Sequence, residues 1–356
     1  RQMLGYDSNY VPGWDCHGLP IEWKIEEGYR EKGKNKDEVP IVQFRRECRD
    51  FAAHWIDVQR AEFKRLGIVG DWDNPYTTMS YEAEAQIVRE IGKFLMDGSL
   101  YKGAKPVLWS VVEKTALAEA EVEYQDHTST TVWVRFPLMF SPDKRLKGAS
   151  IVIWTTTPWT LPGNRAVAYG PEIDYALYEV KAAGKGSLAE PGERLVLATK
   201  LADQVCKDAG IESLAKVCDI PKLEGTFVHH PLAGGGYDFE VPVLPADFVE
   251  MDTGTGFVHI APGHGADDWE LGVKNGLPIP DTVDDAGVYL PDVPMFAGKH
   301  VFKVAPEILR ALTDAGKLLA SVKLVHSYPH SWRSKAPLIF RNTDRKSTRL
   351  NSSHVS

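Results

Sequence analysis

The sequence predicts a mixed α/β fold in which a helical region is interrupted by a β-rich, barrel-like insertion. Three observations predict it. Apolar residues recur at helical spacing early in the chain, short strands bounded by Gly and Pro follow residue 130, and residues 323–343 take up an aromatic and basic character. We therefore expect 1–128 to form the first, incomplete part of one domain and 129–322 to form the insertion. Residues 323–345 then re-enter the first domain, and 346–356 stand apart as a tail.

Pro20 suits the first turn of a helix beginning near Leu19. Phe44, Cys48, Phe51, Trp55 and Val58, continued by Phe63 and Leu66 and stopped by Gly67, spell one long amphipathic helix. A second, over 81–96, takes Ser80 as its cap, Glu82 and Glu84 in its positive first turn, and Gly98 beyond its end. The remainder of the first 128 residues is expected to be helical too. Strands at 132–137, 150–155, 195–198, 239–244, 248–251 and 256–260 favour a closed or curved sheet, with helices at 198–209, 266–275 and 305–315.

At 356 residues, 43% apolar and 25% charged, the chain has the composition of a soluble protein of two or three domains. No apolar run approaches the roughly 18 to 20 residues of a membrane span. The start, Arg1-Gln-Met-Leu-Gly5, is neither a signal peptide nor an initiation site, so the chain reads as the interior of a longer protein. Four scattered cysteines without a Cys-x-x-Cys pair indicate neither a disulfide framework nor a thiolate zinc site, and a reducing cytoplasm follows. The net charge of -8 disfavours a generic nucleic-acid binder. Basic clusters at 30–36, 45–49 and 60–65 leave docking of a specific RNA open, although each also fits a solvated helix face. Residues 346–356 are polar, aperiodic and similar to translated vector sequence.

Two segments carry the chemistry: Trp154-Thr-Thr-Thr-Pro-Trp-Thr-Leu-Pro-Gly-Asn164 and Asp252-Thr-Gly-Thr-Gly-Phe-Val-His-Ile-Ala-Pro-Gly-His-Gly-Ala-Asp-Asp268. Their hydroxyls, imidazole and carboxylates suit hydrolysis of an aminoacyl ester. Three threonines after the apolar run Ile151-Val-Ile-Trp154 can meet a ribose and a carbonyl oxygen, and equally fit strand propensity and turn filling. His259 either shapes a pocket or is simply hydrogen bonded. Asp268 offers an anion to an ammonium, while helix capping accounts for one of the pair Asp267 and Asp268. Gly254, Gly256, Gly263 and Gly265 let the backbone turn tightly and approach a substrate. No Ser-His-Asp triad is legible.

These segments occur in one order with Tyr10-Val-Pro-Gly-Trp-Asp-Cys-His-Gly-Leu-Pro-Ile-Glu22 and Leu324-Val-His-Ser-Tyr-Pro-His-Ser-Trp-Arg-Ser-Lys-Ala-Pro-Leu-Ile-Phe-Arg341. Over residues 1–343 the chain resembles the bacterial isoleucyl-tRNA synthetases, which are class I aminoacyl-tRNA synthetases. The valyl type would read Pro-Gly-Thr-Asp-His-Ala-Gly at Pro12-Gly-Trp-Asp-Cys-His-Gly18, and the leucyl type Gly-Trp-Asp-Ala-Phe-Gly-Leu-Pro. Both carry Thr-Thr-Arg-Pro in place of Thr155-Thr-Thr-Pro158.

The resemblance implies a partial Rossmann-like catalytic domain interrupted by a barrel-like editing (CP1) domain. The parent would ligate isoleucine to tRNA(Ile) with ATP and Mg2+ through an aminoacyl-adenylate, as a cytoplasmic monomer without a membrane partner. The insertion would hydrolyse misactivated or mischarged valine. By resemblance, Asp15 binds the amino group of isoleucine, although it also fits a capping carboxylate. Thr155, Thr156 and Thr157, with Asn164 nearby, hold the adenosine end and the reacting region, His259 obstructs the extra methyl of isoleucine, and Asp268 holds the α-ammonium. Water attack assisted by the ligand's vicinal ribose hydroxyl is the implied chemistry, and His259 as general base is its rival.

The family's His-x-Gly-His and Lys-Met-Ser-Lys-Ser signatures are missing, so this stretch is expected at most to edit. Ser110-Val-Val-Glu113 and Ser331-Trp-Arg-Ser334 stand where some relatives carry two Cys-x-x-Cys pairs, so no zinc is expected here. An autonomous trans-editing hydrolase and a noncatalytic RNA-binding module are the other readings. Remnants of a catalytic domain at both ends speak against the first, and the acidic balance and pocket motifs against the second.

Overall fold

Pro20 lies in the first turn of helix α1 (Leu19–Glu31) in the computed structural model, which describes residues 1–348. Gly18, at φ +109°, is the N-cap of α1, so Asp15 does not cap this helix. Helices α2 (Ile41–Arg65) and α3 (Tyr81–Met96) stand where the spacing predicts them, and Ser80 Oγ accepts the Ala83 N–H at 3.3 Å to cap α3. Short strands β1 (Gly13–Trp14) and β2 (Tyr76–Thr77) pair in parallel. Cys16, Ala52 and Ile56 form a small core with Trp14, Ile21 and Met79. These elements make one compact unit, Arg1–Gly103, and Ala104–Arg345 make another.

From Leu100 onward the chain is mostly extended. Strands β3 (Leu100–Ser110), β4 (Thr115–Ala116), β5 (Val122–Phe140), β6 (Ser150–Thr155), β7 (Ala166–Tyr169), β8 (Tyr175–Ala183) and β9 (Arg194–Ala198) come first. After them run β10 (Ile211–Ile220), β11 (Phe227–His229), β12 (Glu240–Pro245), β13 (Phe257–Ile260), β14 (Leu318–Ser331) and β15 (Ile339–Thr348). Helices α4 (Ala202–Ala209), α5 (Ala266–Lys274) and α6 (Ala305–Asp314) complete the list of regular elements. One sheet has the order β10-β8-β9-β6-β5-β11-β12-β7-β13, with β14 also paired to β5, and a smaller sheet has the order β15-β3-β4.

The large sheet curls on itself, as short strands with Gly and Pro turns predict. Beside its last strand, the Ala198 N–H at the end of β9 donates to Thr255 O at 3.0 Å. Gly256 permits this approach: it sits at φ +81°, and a Cβ there would lie 2.4 Å from Ala198 Cβ. Val134, Phe136, Ile151, Ile153, Leu177, Val196 and Phe257 fill the interior with Trp159, Leu161 and Tyr289. On the opposite face Val152, Leu195 and Leu197 pack with Ala202, Val205 and Ala209 of α4. Burial on both faces explains why β6 is an unbroken apolar run rather than an alternating one.

Several expectations are corrected. Residues 100–128 are strand and turn with a single 3₁₀ turn, Glu119–Glu121, rather than α-helix, and the 126–130 stretch lies inside β5, where Thr128 pairs with Val325 of β14. Residues 248–251 are not a strand, because the chain turns after Pro245, with the Ala246 N–H held by Tyr169 O at 2.9 Å. The helix expected over 198–209 begins as a 3₁₀ turn, Thr199–Leu201. At the glycines of the second motif the backbone also runs close to the protein itself: a Cβ on Gly254 would meet Trp154, one on Gly263 Pro280, and one on Gly265 Asp268. The first three residues of the tail read as 346–356 finish β15, and the rest lies outside the described residues.

Candidate functional site

Strand β6 ends at Thr155, and the chain passes through Thr157 into a 3₁₀ segment, Pro158–Gly163. The Thr157 N–H donates to Thr155 Oγ1 at 3.1 Å, and the two hydroxyl oxygens lie 3.2 Å apart. Thr160 Oγ1 donates to Thr157 O at 2.8 Å and lies 2.8 Å from His259 Nε2. Since the Thr160 hydroxyl proton is already used, the imidazole donates from Nε2. Its Nδ1 then accepts from Asn164 Nδ2, at 3.4 Å, while the same amide donates to Ala166 O at 2.8 Å. Thr155, Thr157, Thr160, Asn164 and His259 are thus one hydrogen-bonded cluster. Thr156 is half-buried, and Asn164 Oδ1 is buried without a hydrogen-bond partner among the described residues.

Asp268, in α5, is tied to the residue that follows β13. Its Oδ2 accepts the N–H of Ala261, two residues beyond His259, at 2.7 Å. Gly265 caps α5 without a side-chain bond, so neither Asp267 nor Asp268 acts as its N-cap. Burial pushes the Asp268 carboxyl up to about 7, Asp267 adds to the rise, and the Ala261 N–H opposes it.

Three further side chains hold the loop. His230 Nε2 donates to Leu161 O at 3.0 Å and its Nδ1 accepts the Leu232 N–H at 3.1 Å. Tyr289 donates its hydroxyl to Trp159 O. His264 packs edge-on to Trp159, donates from Nδ1 to Phe340 O at 2.9 Å, and accepts at Nε2 from Thr282, 2.5 Å away. Burial lowers His259 and His264 to about 4 and His230 to about 3, so all three are neutral at pH 7 with both ring nitrogens engaged. None is a free base. Thr160, His230 and Tyr289 escaped the sequence reading. Thr160 was visible inside its motif, whereas the other two had no local signal.

His230→Phe leaves Leu161 O and the Leu232 N–H without partners and is expected to cost about 2 to 3 kcal/mol in a denaturant titration. An unchanged midpoint would show that water replaces both bonds.

Asp15 lies in the other unit. It is exposed, accepts from Thr78 Oγ1 and the His17 N–H at 3.3 Å each, and borders a hollow of about 190 Å³ lined by Ile21, Phe51 and Trp55. In a larger cavity beside it, of about 810 Å³, Arg49 is committed to Glu84 and Lys36 lies between Glu26 and Asp37. Arg45 lines the same cavity, so its lining mixes two paired cations with a third basic side chain.

Ser110, Glu113, Ser331 and Ser334, where no zinc is expected, come together in the second unit. Ser331 Oγ donates to the buried Glu113 carboxyl at 2.7 and 3.0 Å, the Ser334 N–H donates to it at 3.1 Å, and the Glu113 N–H donates to Ser110 Oγ at 3.2 Å.

Residues 1–344 match the family of class I tRNA synthetases (I, L, M and V), and the chain belongs to that family. It is similar to the isoleucine–tRNA ligase of Bradyrhizobium diazoefficiens, with 56% identity over 368 residues, 96% of this chain and 37% of that protein. The isoleucine–tRNA ligase of Rhodopseudomonas palustris is 55% identical over 96% of this chain and 36% of its own length. That of Pelagibacter ubique is 54% identical over 96% and 38%. The chain therefore spans a little over a third of the length of these relatives, which are of the isoleucyl type that the motifs indicated. The crystal structure of GlLeuRS-CP1 overlaps 56% of this chain and all of its own at 17% identity, with a TM-score of 0.41, a slight likeness.

Proposed function

We propose that the unit 104–345 hydrolyses valine esterified to tRNA(Ile), and that the longer protein ligates isoleucine to that tRNA with ATP in the cytoplasm. The observation that carries this reading is the hydroxyl–amide–imidazole cluster of Thr155, Thr157, Thr160, Asn164 and His259, with the Asp268 carboxyl bonded to the Ala261 N–H two residues beyond His259. Asp268 holds the α-ammonium. The threonine turn and Thr156 receive the ribose and the reacting carbonyl, and the unpartnered Asn164 Oδ1 accepts from the ligand. Asp15 serves isoleucine in the synthetic half. The need for hydrolysis is physical: one missing methylene penalises valine by only about 1 to 3 kcal/mol, a limit for which isoleucyl-tRNA synthetases are themselves the standard worked example.

On this reading 129–322 is an insertion between 1–128 and 323–345. Its two connections run side by side, since β5 and β14 pair from Val122↔Ser331 to Val134↔Leu318. Water attacks the ester carbonyl and the bond from the acyl carbon to the ribose oxygen breaks, the water's proton being relayed through the substrate's vicinal ribose hydroxyl or ordered water to the departing ribose oxygen, so that free valine and uncharged tRNA leave. His259 acts by bulk, because both of its nitrogens are engaged and burial keeps it neutral.

Deacylation of valyl-tRNA(Ile) by the full chain tests the function directly, and inertness under conditions that preserve the fold would refute it. His259→Ala is expected to retain valyl-tRNA hydrolysis and to raise isoleucyl-tRNA hydrolysis about tenfold or more, the methylene discrimination being lost. Loss of all hydrolysis with unchanged binding would instead make His259 the base.

A further inference from the structure

At the start of β6, the opposite end of the strand from Thr155, residues 138–148 enclose a groove of about 300 Å³. Met139 and Phe140 line it with 45% and 58% of their surfaces exposed, together with Lys144 and Lys147. Neither ammonium has an acid partner among the described residues. The Asp143 carboxylate on the same lining is spent, accepting from the Arg145 guanidinium at 2.9 and 2.5 Å and from the Arg145 N–H at 3.0 Å. Asp219, which acts electrostatically on Arg145, is ion-paired with Lys216 at 2.5 Å. Arg194 donates to Arg145 O at 2.6 Å and Lys147 O at 2.8 Å, fixing the turn that carries the lysines.

Lys144 and Lys147 thus line a groove whose one lining acid, Asp143, is neutralised by Arg145, on a chain whose net charge is -8. We propose that this groove is a second RNA-docking surface, with phosphates on Lys144 and Lys147 and a base stacked on Phe140. An exposed aromatic ring beside unpaired ammonium groups is the combination that binds single-stranded nucleic acid, stacking and backbone charge together. An acidic peptide would use the charges but not the ring. The six residues of β6 span about 17 Å, so an RNA whose 3′ end enters the threonine turn reaches the groove with nucleotides a short way back along its strand. The inference rests on the proposed function for its choice of RNA.

The probe is an unacylated, fluorescently labelled tRNA transcript titrated with the full chain at several salt concentrations. Lys144→Ala with Lys147→Ala is expected to weaken binding about tenfold at low salt and to lower the slope of log Kd against log salt by roughly 1.4 to 1.8, two phosphate contacts' worth. Phe140→Ala should weaken it about fivefold or more. Lys144→Arg with Lys147→Arg should restore binding, and melting curves should not move because the side chains are exposed. Hydrolysis of a valyl ester of adenosine should be unchanged in all variants. An unchanged Kd and slope overturn the proposal, as does polyglutamate competing as well as tRNA at equal charge. If valyl-tRNA is hydrolysed but the lysines are silent, the groove assignment fails alone. If the lysines matter for RNA but nothing is hydrolysed, the hydrolase reading fails alone.

Discussion

Asp268→Asn is expected to lower kcat/KM for valyl-tRNA hydrolysis by about a hundredfold or more. Breaking a desolvated ion pair by removing one partner costs about 3 to 5 kcal/mol, and each 1.4 kcal/mol is a factor of ten. The asparagine Oδ atom can still accept the Ala261 N–H, so the start of α5 keeps its tether and a folding defect does not mimic the result. The ammonium is held in ground and transition states alike, so the loss belongs mainly in KM. A variant with wild-type kcat/KM would remove Asp268 from the site.

The same residue sets a pH dependence. With its carboxyl pushed up to about 7 by burial, Asp268 is half protonated near neutrality in the empty site. Only the carboxylate attracts the ammonium, so KM should rise as pH falls through 7, approaching tenfold per unit well below it, and the Asp268→Asn variant should lose this slope. The sign for folding is opposite. A carboxyl that titrates higher folded than unfolded stabilises the fold fully below its ordinary range near 3.8, and that contribution disappears as pH rises through 7. Weaker substrate binding and a firmer fold at pH 6 than at pH 8 would together identify the half-buried Asp268 carboxyl.

What the sequence made legible was local. α2 announces itself by its period and breaker and α3 by its cap and breaker, each within a dozen or so neighbours, and β6 by an apolar run that empties into threonines. The β5–β14 ladder was hidden, because residues such as Thr128, Thr130, Lys323 and Ser327 show little apolar alternation and the partners are far apart in sequence. The site divides in the same way. Its motif residues could be named, but the carbonyl clamps from His230 and Tyr289 are tertiary contacts without a pattern in the chain. The glycines were recognised as conformationally special, yet what comes close to them is Ala198, Trp154 and Pro280, which only the folded structure supplies.

Glu113→Leu is expected to destabilise the 104–345 unit by about 3 kcal/mol, lowering its melting temperature by roughly 5 to 10 °C. Glu113 is 4% exposed, and Ser110 and Ser331 are 0% exposed, so water cannot replace the carboxyl oxygens. Leucine matches the bulk of the side chain but leaves the Ser334 N–H and the Ser331 hydroxyl as buried donors, each costing about 1 to 3 kcal/mol. The two turns are alike, each followed by a lysine in the left-handed region, Lys114 at φ +53° and Lys335 at φ +55°. The carboxyl is what ties one turn to the other. Glu113→Gln keeps an acceptor for the Ser334 N–H and should lose less than half as much. Ser331→Ala should cost about 1 kcal/mol in the parent chain and less than half as much in the Glu113→Leu background, because its carboxyl partner is already gone and only the Arg333 N–H, at 3.3 Å, is left to lose it. Additive losses in that double-mutant cycle would show that the two turns are held by something other than this carboxyl.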